Sequence, residues 1–190
     1  MSLTDERVIF YLRNQARIEE WAAIRTEAAA TIDVWLSELG QPIEALGKEQ
    51  EMGGNVDFLA DTNAETAWPL IKLGRPAWNA GQAGVDVAVA LQWARGRTTL
   101  HGNNLPYVGV IAPQARPLGS ALRASLDVRE LRKNRKELTS IYWVAYHYVA
   151  PPPEFWTIAA QDSYREQLLR AVGETWLAYA PIIDRLALTM

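Results

Sequence analysis

Residues 85–95 read VDVAVALQWAR, and they decide the fold class. In an extended chain Val85, Val87, Val89, Leu91 and Trp93 share one face, while Asp86, Ala88, Ala90, Gln92 and Ala94 share the other. This period of two predicts a strand with one bulky apolar face and one face of small residues. The alanine face is shaped for a closely packed helix. Downstream, RTTLHGNNLP is a connecting loop with a Gly-Asn-Asn turn. PYVGVIAP at 106–113 is then a strand that pairs with 85–95. Upstream, TAWPLIKL at 66–73 is another strand, with Pro69 inside it. A proline cannot donate to a ladder, so this one is expected at an edge or a bulge. Residues 52–65 and 74–84 are rich in turn formers and read as loops.

A fourth strand is expected at 140–149, inside SIYWVAYHYVAPPPEFW (140–156). The three prolines at 151–153 end it. Strict alternation places Ile141, Trp143, Ala145, His147 and Val149 on one face. Ser140, Tyr142, Val144, Tyr146 and Tyr148 fall on the other. A base-stacking platform wants its aromatic rings together on one open face. The alternation splits them, and two apolar-striped helices are available to cover both sides. The reading is therefore a strand buried on both faces, with Tyr142, Tyr146 and Tyr148 as the candidate binding set if no helix covers them. His147 reads as a structural residue at the strand's end with no acid partner.

Helices surround these strands. Thr4 followed by Asp5 and Glu6 is a helix start. From there Tyr11, Ile18, Trp21, Ala28, Ile32, Trp35 and Leu39 recur at steps of three, four and seven, one apolar stripe at helical period. The stripe predicts one long helix, or two broken near Arg25, ending at Gly40, with Pro42 opening a short successor. RPLGSALRASLDVRELRKNRKE at 116–137 is a helix. Ser163 and Glu166 form a capping box for the last helix, whose inward positions are Leu168, Val172, Trp176, Tyr179, Ile183 and Leu186. Pro181 is expected to kink it. The inward faces also claim Trp21, Trp35, Trp93 and Trp143. Trp68, Trp78 and Trp156 lie near strand ends or loops, where exposure would mark an interface.

The expected fold is thus α+β: a mixed four-stranded sheet of αβββαβα order, flanked by helices, with a long N-terminal amphipathic helix or helix pair. A single domain spans 1–190, with a helical segment at 1–51 and the sheet core at 66–190. Over roughly 5–148 this element order resembles the restriction-endonuclease-like PD-(D/E)XK superfamily. The resemblance implies an aspartate near the start of the second core strand and a Glu-X-Lys or Gln-X-Lys on the third, which together bind a divalent metal and activate water. Asp86 stands where the aspartate would be. The third strand, LPYVGVIAP, has no Glu, Gln or Lys, and Gln92 lies roughly 20 Å from Asp86 along a strand at ~3.3 Å per residue. The usual site is missing, and Asp86 reads as a residue at the start of its strand bound to a turn amide.

Composition narrows the chemistry further. The chain has 190 residues, and 49% hydrophobic content is enough for a core. With no cysteine, disulfides, thiol nucleophiles and thiolate metal sites are excluded. His101 and His147 have no metal-ligand spacing. Asp57, Asp61 and Glu65 repeat every four residues but read as a solvated acidic loop. No nucleophile elbow, Walker A or dinucleotide fingerprint occurs. The net charge of -3 argues against a whole-molecule footprint for nucleic acid. One local basic patch remains, Arg123, Arg129, Arg132, Lys133, Arg135 and Lys136, interleaved with Asp127, Glu130 and Glu137. Such alternation is more typical of a solvated helix face, yet it is the best nucleic-acid-facing candidate. The N-terminus shows no signal-peptide pattern and no stretch is long enough to span a membrane, so a soluble cytoplasmic protein without membrane partners is expected.

The expected function is a non-catalytic interaction module. It would self-associate through the N-terminal helix, or bind a protein, or bind nucleic acid through 123–136, and would need no cofactor. The alternative is a divergent phosphodiesterase in which Asp86 and other carboxylates hold Mg or Mn.

Overall fold

The computed structural model describes residues 5–50, 59–63, 67–79, 85–96, 105–155 and 157–189. Its helices are α1 (Glu6–Ser37), α2 (Gly40–Gln50), α3 (Pro117–Ala124), α4 (Leu126–Asn134) and α5 (Ile158–Ala187). Its strands are β1 (Leu59–Asn63), β2 (Leu70–Gly74), β3 (Ala88–Gln92), β4 (Tyr107–Ile111) and β5 (Trp143–Tyr148). They form one sheet in the order β1-β2-β3-β4-β5.

The expected α+β architecture and long N-terminal helix are present, and the four expected strands correspond to β2–β5. Two details change. Every pairing is antiparallel, so the sheet is not mixed. A fifth strand, β1, lies within 52–65, the stretch read as a loop. Its sequence, LADTN, has no apolar alternation, and its place is set by backbone pairing with β2. With β1 added, β2 is interior and not an edge. Pro69 sits just before β2, where its missing N–H breaks no ladder bond, and its carbonyl accepts from the Trp93 amide at 3.1 Å.

The bulky face of β3 does what its sequence suggests, but on the opposite side from the expected helix contact. Val87, Val89, Leu91 and Trp93 join Ile71, Leu73, Val108 and Val110 in one core with residues of all five helices. Among the described residues the helices therefore cover the bulky face, while Ala88 and Ala90 on the other face are buried outside this core. α5 supplies Leu168, Val172, Trp176, Tyr179 and Ile183 to this core. It starts at Thr157, whose hydroxyl accepts from the Ala160 amide at 3.3 Å, so Ser163 lies inside the helix and does not cap it. It also continues through Pro181.

The expected helix at 116–137 is two. Ser125 is extended (ψ 129°) and its hydroxyl caps α4. α1 is the reverse case, unbroken at Arg25 and capped by Asp5. Gly40 begins α2 instead of only ending α1. Before Ala29, α1 carries no buried side chain, so Trp21, expected inside, is 57% exposed. From Ala29 onward the helix is anchored. Asp33 accepts from the Trp93 indole N–H at 3.1 Å and from the Gly96 amide at 3.0 Å. Among the described residues no helix is long and apolar enough to cross a membrane.

Candidate aromatic binding face

The site arises from one irregularity in β5. Antiparallel partners share a face, and β4 pairs with β5 as Tyr107↔Tyr148, Val108↔His147, Gly109↔Tyr146 and Val110↔Ala145. The next pair is Ile111↔Trp143, which skips Val144. This bulge shifts the alternation by one residue. Val144 turns into the core, fully buried. Trp143 turns onto the tyrosine face. The strict period of two had put Trp143 with His147, and the bulge overturns that assignment.

Four rings from two strands consequently meet on the side opposite the helices. Tyr107 lies 5.1 Å from Trp143, 5.3 Å from Tyr146 and 5.7 Å from Tyr148, centroid to centroid. Interplanar angles among them run from 55° to 83°, so the rings are tilted or edge to face and none is stacked flat on another. Gly109 makes this possible. A Cβ there would lie 2.1 Å from the Ala145 carbonyl oxygen and 2.6 Å from Tyr146 Cβ. Tyr146 occupies the space that a side chain at 109 would need.

The rings line a depression of about 450 Å³, together with Trp68, Gln92, Tyr142 and Ser140. None of its lining residues among those described is charged. Trp143 is buried, but Tyr148 at the strand's end is 42% exposed and Tyr142, just before the strand, 60%, so the expectation of a strand covered on both faces holds for the first half of β5 and fails toward its end. Gln92 is fixed from both ends. Its amide donates to the Trp68 carbonyl at 3.1 Å, and its oxygen accepts from the Tyr107 hydroxyl. Burial pushes the Tyr107 hydroxyl's pKa up, helped by Tyr148 and Tyr146. Burial and Tyr148 do the same to Tyr146. Tyr107 and Tyr146 therefore stay neutral and keep their hydroxyl protons at any ordinary pH.

The other candidates are dispersed. Asp86 precedes β3, and its carboxylate is held by the Arg116 guanidinium at 2.5 Å. Its amide donates to the buried Asn79 side chain at 2.7 Å. No three His, Asp or Glu side chains gather among the described residues to hold a metal. His101, Asp57 and Glu65 lie outside the described residues, and so does the side chain of Asp61.

The basic residues of 123–136 differ in their surroundings. Arg123 is an internal clamp, donating to the carbonyls of Ala112 (2.8 Å), Gly119 (3.0 Å) and Ile141 (2.9 Å), and its burial lowers its pKa. Arg129 donates to the Arg123 carbonyl, and Arg135 to Glu137. Arg132 is half-buried, while Lys133 and Lys136 are exposed.

His147 does have an acid partner, which adjacency in sequence could not reveal. Its Nδ1 lies 3.7 Å from Glu137 Oε1. Glu137 is buried, and it also accepts from Arg135 Nε at 2.7 Å and from the Tyr179 hydroxyl. Burial raises the carboxyl's pKa, but the neighbouring His147 and the bonds from Tyr179 and Arg135 outweigh it and hold it below the usual range. Tyr179 moves up, through burial and through Glu137. The cluster ties the segment after α4 to β5 and α5.

No protein-family model, curated protein or solved structure matches this chain. Function must therefore be argued from the geometry alone.

Proposed function

We propose that this chain is a non-catalytic interaction module whose aromatic sheet face binds an extended, proline-rich segment of another protein. The observation that carries it is the bulge at Val144, which gathers Tyr107, Trp143, Tyr146 and Tyr148 on the side of the sheet that, among the described residues, faces away from the helical core. Proline-rich segments hold a left-handed extended helix before binding and dock into aromatic-lined grooves at little entropic cost. They need slots for pyrrolidine rings and donors for carbonyls that have no N–H of their own to pair with. Tilted rings and tyrosine hydroxyls offer both.

A stacking platform for single-stranded nucleic acid fits less well, because it combines rings with a positive groove that tracks the phosphates. Among the described residues no cation lines this depression. The pairing of Asp86 with Arg116 likewise favours binding over phosphodiester hydrolysis.

The test is isothermal titration calorimetry with a synthetic proline-rich decapeptide, in parallel with oligothymidylate. The expected result is saturable heat for the peptide, lost in a Tyr142→Ala/Tyr148→Ala double variant that keeps its melting temperature. Peptide binding that survives the double variant would overturn the reading. So would salt-sensitive binding of oligothymidylate alone, or no binding of the peptide.

A further inference from the structure

We infer that the N-terminal half of α1 is a self-association seam that pairs antiparallel with the same segment of a second copy of this chain. This goes beyond the peptide-binding reading and rests on different residues. The apolar stripe of α1 is half used. Ile32 and Trp35 pack against the core, and Leu39, just past the helix, is fully buried. The same stripe continues backward through Ala28, Trp21, Ile18 and Tyr11 without a buried member. Phe10 (63% exposed) and Ile24 (56%) flank it. Nothing in the monomer's core reaches these side chains.

The spacing identifies the occupant. Positions 11, 14, 18, 21, 25 and 28 follow the alternating steps of three and four that make a coiled-coil seam. Four of the six are apolar or alanine, and two are polar, Asn14 and Arg25. Polar seam residues select orientation and register. In a parallel, in-register pair Arg25 would face Arg25 of the other copy, a like-charge contact. In an antiparallel pair centred between residues 19 and 20, Tyr11 faces Ala28, Ile18 faces Trp21, and Asn14 faces Arg25. Each facing pair sums to 39, so the seam is its own complement, as a two-fold interface requires. Sliding by one heptad would put a polar residue against an apolar one. The seam spans about 26 Å at 1.5 Å per residue.

Charge points the same way. Arg7, Arg13 and Arg17 make residues 7–17 positive, with no acid among them, while Glu19, Glu20 and Glu27 outweigh Arg25 over 19–27. Antiparallel pairing lays each positive half along the partner's negative half, whereas parallel pairing stacks like on like.

Sedimentation equilibrium on the full chain should show a dimer that dissociates on dilution. Trp21→Glu should leave a monomer at the same concentration, with the melting temperature of the diluted, dissociated parent, because Trp21 packs on no core residue. The chain has no cysteine, so single-cysteine variants report orientation cleanly. Tyr11→Cys mixed with Ala28→Cys should cross-link on oxidation, and neither should cross-link alone. A monomer at every concentration overturns the proposal. So does a dimer that Trp21→Glu leaves intact, or cross-linking of Tyr11→Cys with itself.

Discussion

The two faces of the β4–β5 ribbon are built from neighbouring residues yet obey different rules. On the core face Val108, Val110, Val144 and Ala145 are fully buried under helices. On the other face Tyr107, Trp143, Tyr146 and Tyr148 touch mainly one another and line an open depression. The core face consists of small aliphatic residues, which let helix and sheet approach. The outer face consists of the largest residues available, with polar tips, which suits partial exposure. One bulged residue separates the two roles. The core face serves stability, whereas on the proposed reading the outer face serves recognition.

Gly109→Ala should break this division most severely. The added Cβ meets backbone, 2.1 Å from the Ala145 carbonyl oxygen, and not a side chain that can swing away. Overpacking of this kind costs about 1–3 kcal/mol, and the backbone clash puts the expected loss at the upper end. Urea unfolding would measure it. A variant as stable as the parent would show that β4 and β5 can separate more freely than their pairing implies.

Glu137→Gln probes the core side of the ribbon through pH. The carboxyl's pKa is held below its ordinary 4.5 in the folded state. A depressed pKa contributes stability that is fully present above the unfolded value. It is lost as pH falls from about 4.5 through the lower folded value. The parent should therefore lose stability over this acid range, and the glutamine variant should lose less there. At pH 7 the variant should be about 1–3 kcal/mol less stable, since buried donors on Tyr179 and Arg135 lose a charged acceptor. Parallel curves for the two proteins across the acid range would remove Glu137 from the account.

Tyr148→Ala should matter least to folding. The ring is 42% exposed and meets only other rings of the outer face, so a change within about 0.5 kcal/mol is expected by thermal unfolding. A loss near that of Gly109→Ala would mean that the outer face also stabilises the sheet, and the contrast between the faces would collapse.

Most of this architecture was legible in sequence, because β3 and α5 advertise their buried faces by period. The errors have physical causes. β1 was missed because an edge strand with one neighbour needs no apolar alternation. The aromatic face was missed because a bulge shifts the period by one, and no local residue preference announces it. Within 140–149, Tyr146 and Tyr148 were assigned the right face and Trp143 the wrong one. Tyr107 and Gln92 joined the site only through pairing between strands. His147 gained its partner Glu137 through a turn of the chain after α4, where Leu138 bridges to Tyr146. The long apolar stripe of α1 raised self-association as an expectation, but not which half of it stays open, since an apolar stripe looks the same whether its partner is the chain's own core or another molecule.

The unbroken course of α1 also governs how this protein should move through solution. Its 23 residues ahead of Ala29 extend about 34 Å. A folded domain of 190 residues has a radius of gyration of only about 16 Å. Friction will therefore be set by the rod as much as by the globular body. A lone chain should elute from a sizing column ahead of compact standards of 21.3 kDa. Antiparallel pairing along the rod would place a globular body at each end, so the dimer should be a dumbbell longer than the lone chain by about one body.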